Sequence, residues 1–283
     1  MRTLILFVLG AIALPLLADD RKEILRAIRD YQGQGTGSIP QIAPYLDDRD
    51  PEVRWEAVKA IAELGTARSI EPLIKATSDS SPEIQIRAIE GLVNFYLPGY
   101  LKTGFSGAWN RASNSLKGRF TDTNIDIIDP GVTVQPEVIA ALGRVAATSP
   151  SMESRAAAAR GIGVLRGQAA LDDLYQALRT KNGTVLYESV IAIQKIRDVS
   201  AGPMIQFLLR DLEDRVQIAV VETTGILRNK EALPMLREIL ENDKEIKVRR
   251  AALTAIAMMP DPASRPLYAR FFSDSDDGLR AAA

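Results

Sequence analysis

The sequence predicts an all-α protein, a right-handed α-α superhelix of about six and a half helical hairpins with one insertion. Three observations predict it: a helical pattern that recurs with a 31-residue period, turn and proline signals between the helices, and one interruption of the period. Because one helical hairpin cannot bury both of its faces, such units must stack on their neighbours.

The second helix of each hairpin carries the strongest pattern. PEVRWEAVKAIAELG (51–65) and PEIQIRAIEGLVNFY (82–96) align without gaps, and apolar residues at i, i+4, i+5, i+8 and i+11 form one wide helical face. The same pattern returns at 153–165, 184–196, 215–227 and 247–259, and begins again at 278–283. One column holds small residues, which let adjacent helices approach closely: Ala60, Gly91, Gly161, Ala192, Thr223 and Ala255.

A shorter first helix precedes each second helix. Prolines stand near its start, where a missing N–H costs little, at Pro40, Pro203, Pro234 and Pro266. The turns between the two helices, such as DDRDP (47–51) and SDSSP (78–82), are rich in Asp and Ser. These side chains are predicted to cap the N-terminal ends of the second helices.

Composition narrows the chemistry. The 283 residues include no His and no Cys, which excludes the common zinc, haem and iron–sulfur ligand sets and the catalytic groups that need either residue. Residues 121–131 alternate Asp and Asn as a calcium loop does, but Ile127 and Thr133 stand where an EF-hand needs Gly and Glu, so Asx turns are the preferred interpretation. We therefore predict no catalytic, metal-ligating or cofactor-binding residue, and no cofactor.

The N-terminus has the pattern of a secretory signal peptide over residues 1–18. Arg2 precedes the uncharged run Leu4–Ala18, and Pro15 lies just before a cleavage position after Ala18. This predicts a secreted bacterial protein, periplasmic or extracellular, with an uncleaved membrane anchor as the alternative. Residues 19–38 are then predicted to form an N-terminal capping helix and loop.

The unit DPEVRWEAVKAIAELG resembles the HEAT repeat, in the short bacterial form grouped with phycobilin-lyase HEAT-like repeats. The resemblance covers 39–98 as repeats 1–2 and 135–283 as repeats 3–7, the last one incomplete. The sequence stops inside the seventh pattern, which suggests a fragment of a longer array or a partner over the last repeat. In such families an Arg of the second helix bonds to a turn Asp of a neighbouring repeat, so the resemblance implies a structural Asp/Arg ladder of Asp48, Arg54, Arg155, Arg249 and Arg280.

The period is broken once, by an insertion at 99–134. Its first half is basic and aromatic, and Phe105, Trp109 and Leu116 have helical spacing. Three interpretations compete: the stripe packs on the repeats, binds a protein or peptide partner, or touches a membrane surface. The candidate partner-binding residues are Tyr100, Phe105, Trp109, Arg111, Lys117, Arg119 and Phe120.

These observations favour a non-catalytic, exported HEAT-repeat scaffold that binds a protein or peptide partner. Lys plus Arg number 35 and Asp plus Glu 36, and the second-helix columns alternate in sign, so nucleic acid is not a predicted partner. Membrane contact is predicted only through the N-terminal segment or the insertion. The alternative is a lyase-like HEAT enzyme or enzyme-associated subunit, for which the chain has no distinguishing motif. The metal-dependent hydroxylase activity of deoxyhypusine hydroxylase is disfavoured because its metal motifs contain His.

Overall fold

The computed structural model describes residues 13–103, 126–210 and 213–283, and within these ranges every regular element is a helix. The predicted all-α class is confirmed. The chain divides into two compact units, Met1–Arg111 and Ala112–Ala283. None of the helices in the described ranges is both long and apolar enough to cross a membrane.

The first unit is an N-terminal helix followed by two helical hairpins. Its second helices pack against each other, and the N-terminal helix packs against the first of them. The α-helices are α1 (Ala13–Gly33), α2 (Ile39–Ile42), α3 (Pro51–Leu64), α4 (Ile70–Ala76), α5 (Pro82–Tyr96) and α6 (Tyr100–Thr103). Short 3-10 turns cover Thr36–Ser38, Ala43–Asp47 and Ala67–Ser69.

The second unit contains five helix pairs in sequence, and each second helix packs against the next. The first helices are α7 (Pro136–Thr148), α9 (Leu171–Ala177), α11 (Gly202–Ile205), α13 (Leu233–Asn242) and α15 (Arg265–Phe271). The second helices are α8 (Met152–Val164), α10 (Gly183–Ile196), α12 (Asp214–Ile226), α14 (Ile246–Ala257) and α16 (Asp277–Ala282). Turns of 3-10 helix cover Gln168–Ala170, Val199–Ala201, Gln206–Arg210, Lys230–Ala232 and Pro262–Ser264.

Turn residues cap some second helices as the sequence predicts, but not α5, where Ser81 forms no side-chain cap and its hydroxyl donates to Glu83 Oε2 at 2.7 Å instead. Asp50 caps α3 by accepting from Glu52 N at 2.9 Å, and Asp276 caps α16 by accepting from Leu279 N at 2.9 Å. At the other end, Gly65 closes α3 in the left-handed conformation with φ 55°. These caps satisfy backbone groups that a helix end leaves without intrahelical partners.

Small residues do bring the second helices close together. A Cβ on Gly91 would lie 2.7 Å from Ala62 Cβ, and a Cβ on Gly225 would lie 2.8 Å from Ala255 Cα. Gly163 meets Ala192 at the same 2.8 Å to Cα. The core between the stacked helices therefore depends on side-chain volume at these positions, since no larger group fits without moving backbone.

Several first helices are interrupted rather than continuous. The first hairpin begins with 3-10, α and 3-10 segments in turn, and Pro40 and Pro44 lie within them. A proline lacks the N–H that an α-helix would use, so the chain there forms the i→i+3 hydrogen bonds of a 3-10 helix instead. The sequence predicted the position of these helices but not this fragmentation.

Helix α1 runs through Ala18, after which signal-peptide cleavage is predicted. Beyond that position its buried Ile28 anchors it to the repeats, and Arg29 and Gln32 hydrogen-bond Glu56 and Glu63 of α3. Export itself stays a prediction. The helix nevertheless belongs to the folded first unit from about its middle onward.

Candidate functional site

One stripe of each second helix forms what we call the second-helix surface. Its residues recur at i, i+3 and i+7, the spacing of a single helical face. In the first unit they are Glu56, Lys59 and Glu63 of α3, and Arg87, Glu90 and Asn94 of α5. In the second unit they are Ala157, Arg160 and Val164; Glu188, Ile191 and Lys195; Ala219, Glu222 and Ile226; Ala251, Thr254 and Met258.

In the first unit, opposite charges on this surface pair across neighbouring helices. Arg29 Nε lies 2.9 Å from Glu56 Oε1, and Arg87 Nη2 lies 2.9 Å from Glu63 Oε1. Lys59 is 3.8 Å from Glu56 on its own helix. The alternation of sign seen in the sequence is therefore used to join one helix to the next.

The second unit contains a buried ion pair on the same surface. Arg160 of α8 donates two hydrogen bonds to Glu188 of α10, Nε to Oε2 at 3.1 Å and Nη2 to Oε1 at 2.5 Å. The side chains are 6% and 3% exposed. A bidentate guanidinium–carboxylate pair satisfies both charges away from water and fixes the two helices in register.

Lys195 lies two turns beyond Glu188 along α10 and is also buried, at 4% exposure. Burial lowers the pKa of its ammonium group to about 8, and the nearby charges of Glu188 and Asp126 act in the opposite direction. Its Nζ donates to the backbone carbonyl of Asp126 at 3.1 Å. A buried lysine with this contact holds a piece of chain that does not belong to the repeat.

That piece is the non-helical segment 126–129, which lies against the C-terminal parts of two second helices. Ile128 N donates to Val164 O of α8 at 3.0 Å, while Asp126 O accepts from Lys195 of α10. The Ile128 side chain is 5% exposed. The second-helix surface of α8 and α10 therefore binds a short polypeptide segment through both backbone polar groups and an apolar side chain.

The same surface is open on the next two helices of the unit. Met258, the C-cap residue of α14, is 43% exposed, and Ile226 of α12 is half-buried, at positions equivalent to Lys195 and Val164. Glu222 and Thr254, equivalent to Arg160, are exposed. These four residues present a mixed apolar and polar surface with the same helical spacing as the covered part.

The predicted ladder residues contact both carboxylates and backbone carbonyls. Arg54 Nε lies 2.8 Å from Asp79 Oδ2 in the next turn, and its Nη1 donates to Asp48 O at 3.0 Å. Arg155 and Arg249 instead donate to carbonyls at the ends of their own first helices, Ala146 O and Leu240 O. Arg280 bonds to Asp274 O and Asp277. The shared contact is thus the carbonyl end of the preceding turn or helix, where acceptors lack intrahelical partners.

The candidate residues of the insertion divide into two groups. Tyr100 is 4% exposed and lies in α6, which packs against α5, so its ring contributes to packing rather than to an open surface. Asn94 Oδ1 fixes this short helix by accepting from Gly99 N and Leu101 N at 3.0 and 3.1 Å. The others lie outside the described residues: Phe105, Trp109, Arg111, Lys117, Arg119 and Phe120.

A cavity lies at the end of α14. Its volume is about 420 Å³, and its charged lining consists of Asp261 and Arg265. Asp261 is already ion-paired with Arg237. Across the ranges that the structure describes, no group of three or more His, Cys, Asp or Glu residues is placed to hold a metal ion.

Sequence reasoning did not single out Lys195 or segment 126–129. The column of Lys195 reads Glu63, Asn94, Val164, Lys195, Ile226 and Met258, so no periodic residue type marks it. One signal was available, because Lys195 of α10 stands at a position that is apolar in three other repeats, Val164, Ile226 and Met258. A contact between 126 and 195 joins residues far apart in sequence, which a repeat pattern cannot predict.

Comparison with known families identifies the repeat. The family model described as HEAT repeats matches residues 14–126 and 202–283, more than half of the chain. The chain belongs to the HEAT-repeat family. The helix pairs α7–α8 and α9–α10 lie between the two matched ranges and follow the same stacking, so the HEAT array continues through the unmatched stretch. No curated protein matches the sequence.

Solved structures with the same kind of fold are distant in sequence. An engineered protein is 15% identical with a TM-score of 0.49 and covers 78% of this chain and 95% of its own. Human deoxyhypusine hydroxylase in complex with glycerol is 17% identical with a TM-score of 0.39, and coverage is 88% and 98%. The complex of CpcE and CpcF of phycocyanin lyase from Nostoc sp. PCC7120 is 16% identical with a TM-score of 0.46, and coverage is 86% and 91%. Similarity at this level says nothing about which function this chain has.

Proposed function

We propose that this HEAT-repeat protein is an exported, non-catalytic scaffold whose second-helix surface binds a non-helical polypeptide segment of a protein partner. The observation that carries the proposal is the segment 126–129. It is held on α8 and α10 through Lys195 and Val164, while the equivalent positions on α12 and α14 are open.

Physical chemistry supports this use of the surface. A bound polypeptide must satisfy its backbone N–H and C=O groups as it leaves water, and segment 126–129 does so with a helix-end carbonyl and a lysine ammonium. Helix-end carbonyls are present in every repeat. Exposed Met258 adds a flexible apolar contact of the kind found at adaptable binding surfaces.

Selection from a library of random, unstructured peptides tests the binding role, with the full-length protein as bait. Peptides recovered by selection are expected to lose binding at least tenfold to the variant Ile226→Asp/Met258→Asp, because a buried unpaired carboxylate opposes an apolar contact. Phe207→Asp is the matched control, since Phe207 is 63% exposed and lies outside this surface. Equal losses for both variants, or no selected peptides, would overturn the proposal.

Export is tested separately. A reporter enzyme that is active only outside the cytoplasm, fused after residue 38, should be active, and a charge at Leu9 should abolish its activity. N-terminal sequencing of the exported protein distinguishes the two forms, because cleavage yields Asp19 as the first residue and an anchor leaves Met1. A reporter that stays inactive contradicts export in both forms.

A further inference from the structure

Three arginines follow three consecutive second helices of the second unit. Arg166, Arg197 and Arg228 come directly after the apolar column of Leu165, Ile196 and Leu227, at the 31-residue period. Each has left-handed backbone geometry, with φ of 49°, 60° and 52°. Gly65 holds the equivalent place after α3 with φ 55°. We call the three side chains the arginine row.

The backbone does not explain why these residues are arginine. The left-handed conformation costs a residue with a Cβ about 1–2 kcal/mol and favours Gly or Asn at the end of a helix. A cation does interact favourably with a helix C-terminus. However, a lysine or arginine in the last helical turn would interact with the helix C-terminus equally well, without left-handed backbone geometry. The helix C-terminus therefore does not explain an arginine at this strained position.

The guanidiniums of the arginine row are unengaged within the described part of the chain. Arg197 and Arg228 are exposed and Arg166 is half-buried, and none of them has a side-chain hydrogen bond or ion pair there. This contrasts with Arg160, whose guanidinium is fully paired. Three cations with free donors therefore lie along one edge of the second-helix surface.

The charged neighbours leave this edge basic. Asp198 follows Arg197, but its oxygens accept from Ser200 and Gln168, which lowers the pKa of its carboxyl group. Lys230 adds a positive charge beside Arg228, and Glu231 adds a negative one. The turns at 165–170, 196–201 and 227–232 together carry four cations and two carboxylates, one of them already engaged.

The spacing of the row fits an extended chain. Packed helices lie about 8–10 Å apart, so the backbones from which neighbouring arginine side chains extend repeat at roughly that distance. In the extended polyproline II conformation a polypeptide advances about 3.1 Å per residue with three residues per turn, so side chains at every third residue point the same way and lie about 9 Å apart. Carboxylates at every third position would therefore each meet one arginine, and guanidinium and carboxylate match as bidentate partners.

The protein's own bound segment lies next to this row. Ile128 bonds to Val164, two residues before Arg166, and Asp126 bonds to Lys195, two residues before Arg197. The segment carries Asp126 and Asp129, three residues apart. Its side-chain carboxylates form no ion pair with the row, but it shows that polypeptide lies at the ends of these helices.

We propose that the arginine row binds an acidic, extended polypeptide segment with carboxylates at every third residue. The inference rests on the proposed function and specifies the chemistry of the partner. The guanidiniums of Arg166, Arg197 and Arg228 pair with successive carboxylates. The backbone of the segment follows the helix ends outside segment 126–129 and reaches the open second-helix surface at α12.

Fluorescence anisotropy with the full-length protein tests the row. The probe is a labelled ten-residue peptide of Ser and Ala with Glu at positions 2, 5 and 8. Arg166→Gln/Arg197→Gln/Arg228→Gln is expected to weaken binding roughly 30-fold, about threefold per arginine, and to remove most of its salt dependence. The control Arg179→Gln/Lys181→Gln/Arg265→Gln removes the same charge at other exposed positions and should leave binding within about twofold.

A second variant separates recognition from folding. Arg166→Gly/Arg197→Gly/Arg228→Gly relieves backbone strain, so its Tm should equal or exceed that of the unmodified protein while binding falls as in the Gln variant. Unchanged peptide affinity in this variant overturns the inference. So does equal binding of a peptide with its three Glu residues adjacent, or arginine-dependent binding of a single-stranded oligonucleotide at least as tight as that of the peptide.

The outcomes also separate this inference from the proposed function. If peptides from the random library depend on Ile226 and Met258 but the acidic peptide does not bind, the arginine row is not a recognition element and the scaffold proposal stands. If neither kind of peptide binds, both proposals fail. Binding of the acidic peptide that depends on the row supports both.

Discussion

At the scale of single residues, the pair Arg160–Glu188 shows how the repeats use charge. Both side chains are nearly inaccessible to water, so each carries a large desolvation penalty that its partner helps to offset. Breaking one partner leaves the other charge buried. Because each charge needs the other, the pair fixes the position of α8 relative to α10.

We predict that Glu188→Leu or Arg160→Met lowers the free energy of unfolding by about 3–5 kcal/mol, whereas Arg160→Met/Glu188→Leu costs much less because neither charge of the pair is then left without the other. Urea denaturation of the four proteins in a double-mutant cycle measures the difference. Arg210→Met is the control, since Arg210 and Glu238 are 64% and 56% exposed and their pair should contribute under about 1 kcal/mol. Equal losses in the single and double variants would contradict the prediction.

The titration of Lys195 makes the free energy of unfolding depend on pH, and the sign of that dependence follows from its lowered pKa. Its pKa in the folded state is lowered to about 8, so above that pH the folded chain has released a proton that the unfolded chain keeps until about 10.5. Stability from this group should therefore rise between pH 8 and pH 10.5, by up to about 3 kcal/mol. Lys195→Met removes the titration, so the difference between the two unfolding profiles from pH 7 to pH 10 isolates it. Parallel profiles would show that Lys195 keeps an ordinary pKa.

The sequence anticipated only part of this residue-level picture. The alternating charges at positions such as Glu56 and Arg87 could be predicted from the sequence, because they recur at helical spacing. Lys195 and its contact with Asp126 were not, since the contact joins residues outside the repeat. The arginine row was visible as a period after Leu165, Ile196 and Leu227, but nothing in the sequence shows that the three backbones are left-handed.

At the scale of elements, the distance between second helices depends on glycine. A Cβ on Gly225 would lie 2.8 Å from the Cα and 2.9 Å from the Cβ of Ala255, closer than real contacts allow. Helix α12 or α14 would have to shift. Because each helix also packs on a further neighbour, the shift cannot remain confined to one interface.

We predict that Gly225→Ala lowers the free energy of unfolding by about 1–3 kcal/mol, despite the higher helix propensity of alanine. Gly33→Ala is the matched control, because Gly33 ends α1 and a Cβ added there would have no atom within 4 Å. That substitution should be neutral or stabilising by up to about 1 kcal/mol. Thermal and urea unfolding of both variants tests the contrast, and stabilisation by Gly225→Ala would show that the interface adapts.

Element positions were the most predictable feature. The 31-residue period predicted the first and last residues of the second helices to within a few positions, because burial against two neighbouring helices requires the apolar stripe. The first helices were located but not their 3-10 interruptions, which depend on local hydrogen bonding around prolines such as Pro44. Helix α7 follows the insertion and begins at Pro136, where the broken period made the pattern harder to read.

At the scale of the molecule, each unit is an array in which a repeat contacts only its neighbours. Stability in such arrays is close to a sum of repeat terms and interface terms. A defect at Gly225 should therefore loosen α12 and α14 more than α1 or α3. Hydrogen exchange resolved by peptide is expected to show this, with protection lost first around 214–257 and retained at 51–64; uniform loss would indicate cooperative unfolding of both units.

The segment 126–129 has one more consequence. It is covalently attached to the repeats that hold it, so it acts as a built-in competitor whose effective concentration is of millimolar order. A free peptide that uses α8 and α10 must displace it, so its apparent affinity falls by about the ratio of that effective concentration to the intrinsic dissociation constant of the segment. Partners would therefore bind α12 and α14 first. Only a segment long enough to stay bound to these helices while it displaces segment 126–129 would also bind α8 and α10.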